Sequence, residues 1–253
     1  MRNLFLAASG AALLLAGGAA SVAATRVPAF VVAAVASPGR PAADTMRDAE
    51  RKPAEVLAFS GVKPGEKVGE LIPNGGYYTR LISDVVGPKG HDYGVWPEGM
   101  VKARPQAVDA VAKIAPNVSN LTYTTVPAFP EKLDLFWTTE NYHDLHNGPR
   151  DAPAGTPQPD VKPFNKAVFD ALKPGGTYLI EDHAAAADAG PDATFKLHRI
   201  NPAQIKAEVE AVGFKLIGQS DVVKNPGDPH TAMVFDPSIR GKTDKVLMKF
   251  RKP

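Results

Sequence analysis

The sequence predicts an α/β fold in which a doubly wound, mostly parallel sheet carries helices on both faces and has an antiparallel C-terminal strand. Short apolar stretches rich in β-branched residues alternate with stretches whose apolar residues recur every three or four positions. These are the periodicities of buried strands and of amphipathic helices. The last two predicted strands have no helix between them, which favours antiparallel pairing.

Seven segments have the composition of strands. They are KVGELI (67–72), GHDYGVW (90–96), LTYTTV (121–126), KLDLFWTT (132–139), TYLIED (177–182), FKLIGQSDVV (214–223) and KVLMKFRK (245–252). The segments between them favour helices with recognisable ends. Pro53 and Pro202 suit first helical positions, Asn201 suits a helix cap, and Gly61 and Gly213 suit the residues that follow a helix.

The amino terminus has the pattern of a secretory signal peptide over residues 1–24, with a basic start, an apolar middle and small residues at the end. Cleavage after residue 24, or as late as residue 36, would leave a linker over 25–43 and a single α/β domain over 44–253. An uncleaved membrane anchor is the alternative. The chain has no cysteine, which excludes disulfides. We therefore expect an exported protein, periplasmic or secreted.

The charge distribution excludes an obvious nucleic-acid surface. The formal net charge is +2, and both signs are scattered along the chain. Nucleic-acid-binding domains concentrate Lys and Arg on one face. The expected partner is a small-molecule substrate, with no stable membrane insertion once a leader is removed, and the sequence does not define an oligomeric state.

Several motifs occur in an order that resembles a known family. They are GVKPGEKVGEL, NGGYYTRLISDVVGPKG, FNKAVFDALKPGGTYLIEDH, and VEAVGFKLI followed by VLMKFRKP. From about Arg47 to Pro253 the chain resembles the class I methyltransferases, which have a Rossmann-like fold and use S-adenosylmethionine. With NYHDLH and LHRI it is similar to a group of exported methyltransferase-like proteins. The resemblance implies S-adenosylmethionine as cofactor and methyl transfer as activity.

The resemblance also implies a cofactor loop after the first strand. In the family this strand ends with an acidic residue that is followed by glycines at alternate positions. Glu70 matches the acid, whereas Ile72 and Asn74 occupy two of the glycine positions. Gly76 matches the third, with Gly75 beside it. Asn tolerates a positive φ better than other non-glycine residues, so the turn remains possible.

The second strand departs from the family pattern. Trp96 holds the place of the acid that binds the ribose hydroxyls, and Glu98 is the nearest carboxylate. Trp96 could stack on an adenine while Glu98 reaches the ribose, or it could be a core tryptophan beside a solvated glutamate. Recognition of the base would fall to Thr125 or to backbone groups.

Histidines and carboxylates follow the fourth and fifth predicted strands. In an open parallel sheet, ligands bind beyond the carboxyl ends of the strands. This places His143, Asp144, His146, Asp182 and His183 near one another and near the Gly75 loop. His143, Asp144 and His183 are the candidate catalytic residues. A neutral histidine could act as general base, with an aspartate fixing its tautomer. Tyr142 and Asn141 would orient the substrate and the cofactor.

Two alternatives remain open at this stage. We expect no metal ligand, but His143 and His146 together with Asp182, His183 or His198 have residue types that bind divalent ions. The protein could also have kept the fold, lost the cofactor, and bind another ligand or a metal through this His/Asp cluster.

Overall fold

The computed structural model describes residues 26–148 and 158–253. Its strands are β1 (Lys67–Leu71), β2 (His91–Pro97), β3 (Val118–Tyr123), β4 (Leu133–Thr139), β5 (Leu172–His183), β6 (Lys215–Ser220) and β7 (Lys245–Arg251). They form one sheet in the order β3-β2-β1-β4-β5-β7-β6. The strands β1 to β5 pair in parallel, and β7 is antiparallel to both β5 and β6. The predicted fold class is therefore confirmed.

The α-helices of the described residues flank this sheet. They are α1 (Ala29–Val35), α2 (Ala42–Thr45), α3 (Asp48–Arg51), α4 (Pro53–Ser60), α5 (Tyr77–Val86), α6 (Glu98–Ala103), α7 (Pro105–Ala112), α8 (Lys162–Ala171), α9 (Ala193–Lys196) and α10 (Pro202–Glu210). Both predicted ends of α4 and the predicted start of α10 are confirmed, whereas α10 ends at Glu210, before Gly213. Gly61 follows α4 with φ 79°. Asn201 caps α10 by accepting a hydrogen bond from the backbone N–H of Ala203.

An apolar layer covers each face of the sheet. Consecutive residues of a strand point to opposite faces, so Phe136 belongs to one layer and Trp137 to the other. The Phe136 layer packs against α7, α8 and α10. The Trp137 layer packs against α1, α4 and α5. Burial on both faces explains why β4 is apolar along most of its length.

The segment 25–43 differs from the linker that the sequence predicts. It contains α1, in which Val31 is fully buried and Ala34 is 4% exposed. Both residues belong to the Trp137 layer, where α1 packs against α4 and α5. Burial of these side chains makes α1 part of the folded domain. A cut after residue 36 would remove it, whereas a cut after residue 24 would not.

The predicted signal peptide over residues 1–24 lies outside the described residues. Within the part of the chain that the structure describes, no helix has the length and apolar character needed to cross a bilayer.

Candidate functional site

A large cavity opens at the carboxyl ends of the parallel strands. Its volume is about 1360 Å³, and it is lined by residues from the ends of β1, β2, β4 and β5. This is where ligands bind in open α/β sheets. Pockets for one small ligand usually measure roughly 300–1,000 Å³, so this cavity has room for two ligands side by side.

The turn between β1 and α5 has positive φ angles, which favour glycine, at two residues that are not glycine. Ile72 has φ 48°, Asn74 has φ 53° and Gly76 has φ 76°. A β-branched residue in this region costs roughly 1–3 kcal/mol, so the surrounding structure must hold it in place. The Ile72 N–H donates to the Val95 carbonyl at 2.9 Å. The Asn141 side-chain amide donates to the Ile72 carbonyl at 3.2 Å.

The two glycines of this turn have different surroundings. Gly75 lines the cavity, its φ is not positive, and a Cβ added there would have no atom within 4 Å. A Cβ on Gly76 would lie 2.3 Å from Cδ1 of Ile114. Gly75 therefore leaves space for a ligand, whereas Gly76 is required by the packing of the turn.

Helix α5 begins beside this turn, at Tyr77. The first N–H groups of a helix lack partners within it and carry partial positive charge, which favours anionic ligand groups. Tyr77 and Tyr78 both line the cavity and are nearly buried. Their hydroxyls donate to the Asp48 carboxylate and to the Arg51 carbonyl, respectively. The two rings therefore form a fixed wall.

Glu70 at the end of β1 is a buried carboxyl group on the cavity. Thr79 donates a hydrogen bond to it at 2.6 Å. Burial raises the pKa of Glu70 to about 7. The neighbouring Asp92 is fully buried, and its carboxyl group pairs with that of Glu70. Burial raises its pKa well above the usual range, and the charge of Glu70 adds to this shift.

His143 on the cavity wall is paired with Asp182, which is fully buried and does not line the cavity. The Asp182 carboxylate accepts from the backbone N–H of His143 and lies 2.8 Å from its ring Nδ1. Burial lowers the pKa of His143, but the Asp182 carboxylate more than reverses this, so the net pKa lies above its ordinary value. With Nδ1 bound to a carboxylate, Nε2 is the nitrogen available to the cavity.

His183 lies beside this pair, and its pKa is shifted in the opposite direction from that of His143. Its Nδ1 is 2.7 Å from the Thr243 hydroxyl, and burial lowers its pKa to about 4. The ring centroids of His143 and His183 are 6.3 Å apart. At neutral pH His183 is therefore an uncharged ring on the cavity wall.

Asp144 and His198 complete the predicted cluster on the same wall. Nε2 of His143 lies 3.2 Å from Nδ1 of His198 and 3.5 Å from Oδ1 of Asp144. All three side chains line the cavity. The structure thus brings together His143, Asp144, Asp182, His183 and His198.

Comparison with known proteins gives the fold its name. No protein-family model matches the chain, and no curated protein sequence matches it. A methyltransferase from Aquifex aeolicus that depends on S-adenosylmethionine matches with a TM-score of 0.55 at 19% identity, covering 83% of this chain and 96% of that one. One from Mesorhizobium loti matches with a TM-score of 0.53 at 14% identity, covering 81% and 99%. The chain has the class I methyltransferase fold.

The same fold also occurs in a protein with another activity. The [4+2]-cyclase SpnF matches with a TM-score of 0.56 at 14% identity, covering 84% of this chain and 81% of that one. Matches at such identities show a shared fold and leave the activity to be argued from the site.

Within the methyltransferase fold, β2 does not present the predicted nucleoside contacts. Trp96 is 2% exposed, and its Nε1 donates to Asn120. It packs in the core and does not line the cavity, so stacking on an adenine is ruled out. Glu98 lies at the start of α6, pairs with Lys102 and also lies off the cavity wall. Thr125 does line the cavity, together with Thr124 and Met100.

Two further predicted residues hold the site without facing a ligand. Gly76 is a packing position, as described above. Asn141 lines the cavity, but its amide group donates to the carbonyls of Leu71, Ile72 and Thr139. Its oxygen accepts from Asn74 at 3.4 Å. Asn141 therefore ties β4 to the turn after β1.

Tyr142 and His146 point away from the cavity, which corrects two predictions. Tyr142 is fully buried; its hydroxyl donates to Glu208 and accepts from Asn165. His146 is bound through Nε2 to the same Glu208 at 2.9 Å. Both residues therefore connect the segment after β4 to α10. His146 cannot join His143 as a metal ligand, and Tyr142 cannot orient a substrate.

A charge network that no sequence motif indicates runs from the cavity wall, where Arg51 and Glu140 lie, to the buried Lys245 and Glu181. Glu140 pairs with Arg51 at 2.6 Å and with Lys245 at 2.8 Å, and Lys245 also reaches Glu181 at 3.2 Å. Burial raises the pKa of Glu140, but Lys245 and Arg51 overcome this and hold it well below the usual range. These residues are far apart in sequence, and no local pattern distinguishes them from surface charges.

Proposed function

We propose that the protein is a methyltransferase that transfers a methyl group from S-adenosylmethionine to a small molecule. The observation that carries this proposal is the turn between β1 and α5. Ile72 and Asn74 keep the left-handed backbone of glycine positions, although the β-branched side chain of Ile72 disfavours it. A strained turn beside an open cavity is typical of a ligand-binding loop.

The residues around this turn fit the amino-acid end of the cofactor. The N–H groups that begin α5 favour a carboxylate. The Glu70 carboxyl group, when ionised, favours an ammonium group. Gly75 leaves the space between them open. S-adenosylmethionine supplies an activated methyl group on a sulfonium sulfur when it is bound.

The nucleoside end would lie against the rim formed by Met100, Thr124 and Thr125, which line the cavity after β2 and β3. Met100 offers an apolar contact for a base, and the threonine hydroxyls offer hydrogen bonds. This assignment replaces Trp96 and Glu98, the residues that the sequence favours.

The opposite wall fits a small substrate with an acidic proton. His143 is oriented by Asp182, and its raised pKa suits a general base near neutral pH. His183 stays neutral there and offers a polar ring nitrogen. The exposed rings of Phe195 and Phe235 add an apolar edge to the same cavity.

We further propose that the protein acts after export, in the periplasm or outside the cell. The leader-like pattern over residues 1–24 supports this. S-adenosylmethionine is charged and crosses bilayers poorly, so an exported enzyme needs cofactor supplied from the cytoplasm.

One observation favours a second candidate function. β2 ends in a buried tryptophan and offers no carboxylate to a ribose. A protein that kept the fold and lost the cofactor would have this feature, and it would use the histidine-lined wall to bind another ligand.

The deciding experiment measures melting temperature with and without S-adenosylhomocysteine, in chelator. At ~100 times Kd a specific ligand adds about 2.7 kcal/mol, which is a shift of several degrees for a domain of this size. Gly75→Leu should fold normally and lose the shift, because its side chain fills the cavity beside α5. Gly39→Leu is the matched control, because a Cβ there meets only Ser37 at 4.0 Å and lies away from the cavity.

A shift that is lost in Gly75→Leu and kept in Gly39→Leu supports cofactor binding at this turn. Wild-type protein that gives no shift at millimolar ligand contradicts the methyltransferase and favours the second candidate.

A further inference from the structure

We propose that His143, Asp144 and His198 bind a divalent transition-metal ion on the cavity wall. One potential ligand atom from each residue lies within 4.8 Å of the other two. Nε2 of His143 is 3.2 Å from Nδ1 of His198, Nε2 of His143 is 3.5 Å from Oδ1 of Asp144, and Nδ1 of His198 is 3.9 Å from the same oxygen.

These separations match those between ligands of one metal ion. Zinc binds imidazole nitrogen and carboxylate oxygen at about 2.0–2.2 Å, and tetrahedral angles then separate neighbouring ligand atoms by about 3.3–3.5 Å. Two of the three measured edges lie within about 0.2 Å of that range. The third, between His198 and Asp144, is longer than that range by about half an ångström.

The surroundings orient all three ligands. Asp182 binds Nδ1 of His143, which leaves the lone pair of Nε2 facing His198 and Asp144. Metal-binding histidines usually donate the other ring N–H to a carboxylate, a backbone carbonyl or water. The amide of Asn147 donates to Oδ1 of Asp144 at 3.0 Å. The ring of Phe235 packs on His198 at 5.0 Å.

The donor set indicates the class of ion. Two imidazoles and one carboxylate suit zinc, cobalt or iron(II) better than magnesium or calcium, which prefer oxygen ligands. Three protein ligands leave at least one coordination position for water or substrate, as in catalytic zinc sites. Since all three residues line the cavity, that position faces the space assigned to the substrate.

A bound ion would change the role of His143 toward a substrate. Nε2 of His143 cannot hold a metal and accept a proton at once, so His143 acts as a ligand in the metal form. The ion would then bind an oxygen or nitrogen of the substrate directly. Metal binding itself does not depend on the proposed methyltransferase function, because it uses none of the residues assigned to the cofactor.

The test uses the full chain after removal of metals with a chelator. Titration with Co²⁺, followed by visible absorption, and with Zn²⁺, followed by calorimetry, should each show one site per chain. His198→Ala should lower the affinity for both ions by more than about 100-fold. Loss of a residue that only hydrogen-bonds to a ligand lowers metal affinity by up to about 100-fold, and loss of a ligand should lower it more. His230→Ala is the matched control: His230 also has a positive φ, and it pairs with Asp244 away from the cavity.

Binding of one ion that is lost in His198→Ala and in Asp144→Ala, and kept in His230→Ala, supports the site. Absence of stoichiometric binding, or equal affinity in wild type and His198→Ala, overturns it and leaves His143 and His198 as a hydrogen-bonded pair. Binding of S-adenosylhomocysteine in chelator is measured on the same variants, so failure of the metal site and failure of the cofactor site are distinguished.

Discussion

The Asp182 carboxylate holds His143 at two points, its backbone N–H and its ring Nδ1, each at 2.8 Å. Both residues are buried, and the pair spans β5 and the segment after β4. Two hydrogen bonds to one carboxylate fix the position and the tautomer of the imidazole together. The orientation of His143 is therefore built into the fold before any ligand arrives.

Asp182→Asn should lower Co²⁺ affinity by about 10–100-fold, because an amide that donates to Nδ1 would place the proton on Nε2. S-adenosylhomocysteine binding in chelator should not change. Asp244→Asn, which alters the His230 pair outside the cavity, is the control. Unchanged Co²⁺ affinity in Asp182→Asn would show that the tautomer of His143 does not matter for the ion.

Glu70 should make stability depend on pH in a defined window. Its pKa is about 7 in the folded chain, against an ordinary value of 4.5. Between these values the folded state keeps a proton that the unfolded state has lost, so the contribution of Glu70 to stability falls as pH rises. Asp92 acts in the same direction.

Urea unfolding of wild type and Glu70→Gln at pH 4.5, 6 and 7.5 measures this effect. Relative to the variant, the wild-type free energy of unfolding should decline with pH and level off above about 7. Parallel curves for the two proteins would mean that Glu70 titrates normally in the folded state.

Gly76→Ala should lower the free energy of unfolding by about 1–3 kcal/mol or more, through the positive φ and the contact with Ile114. Ile114→Ala in the same chain should recover part of this loss, because it removes the atom that the new Cβ meets. Urea unfolding of both single variants and the double variant gives the coupling. Strict additivity would contradict the predicted contact.

Helix α1 offers a test of the domain boundary. Val31→Ala should lower the free energy of unfolding by about 1.5–3 kcal/mol, since Val31 is fully buried. Val32→Ala, at a residue that is 52% exposed, should change it by no more than about 0.5 kcal/mol. If urea unfolding gives equal effects for the two variants, α1 does not pack on the domain in solution.

The buried charge network should be costly to break. Lys245→Met removes the cation shared by Glu140 and Glu181, and we expect a loss of about 3–5 kcal/mol. Lys173→Met removes a half-exposed partner of Asp134 and should cost no more than about 1 kcal/mol. Thermal or urea unfolding measures the stability of both variants. Similar losses of stability would contradict the expectation that the buried ion pairs cost more to break than the exposed one.

The sequence predicted the features that depend on local pattern. Apolar periodicity and end signals such as Pro53 and Gly61 located the helices and strands, because these are determined by residues adjacent in the chain. The predicted bounds of the edge strand β3, 121–126, lie three residues beyond the observed bounds, Val118–Tyr123. Half-buried edge residues such as Asn120 carry a weak strand signal, and Asn120 is held there by side-chain hydrogen bonds to Trp96 and Val108.

The direction of individual side chains was predicted less well. Tyr142 and His143 are neighbours in sequence, yet one points into the core and the other to the cavity. Glu208 on α10 binds both Tyr142 and His146, and it lies more than sixty residues further along the chain. A local sequence motif does not indicate partners at that distance. The sequence therefore could not distinguish residues that face the cavity from residues that pack behind it.

The place of β7 between β5 and β6 has a consequence for how the chain is made. β6 is synthesised before β7, yet β7 is the strand that joins it to the rest of the sheet. Until the ribosome has released residues 245–251, β5 has an open edge and β6 has no partner. Nascent chains should therefore keep an incomplete sheet until residues 245–251 have emerged, and only then can β5, β7 and β6 pair.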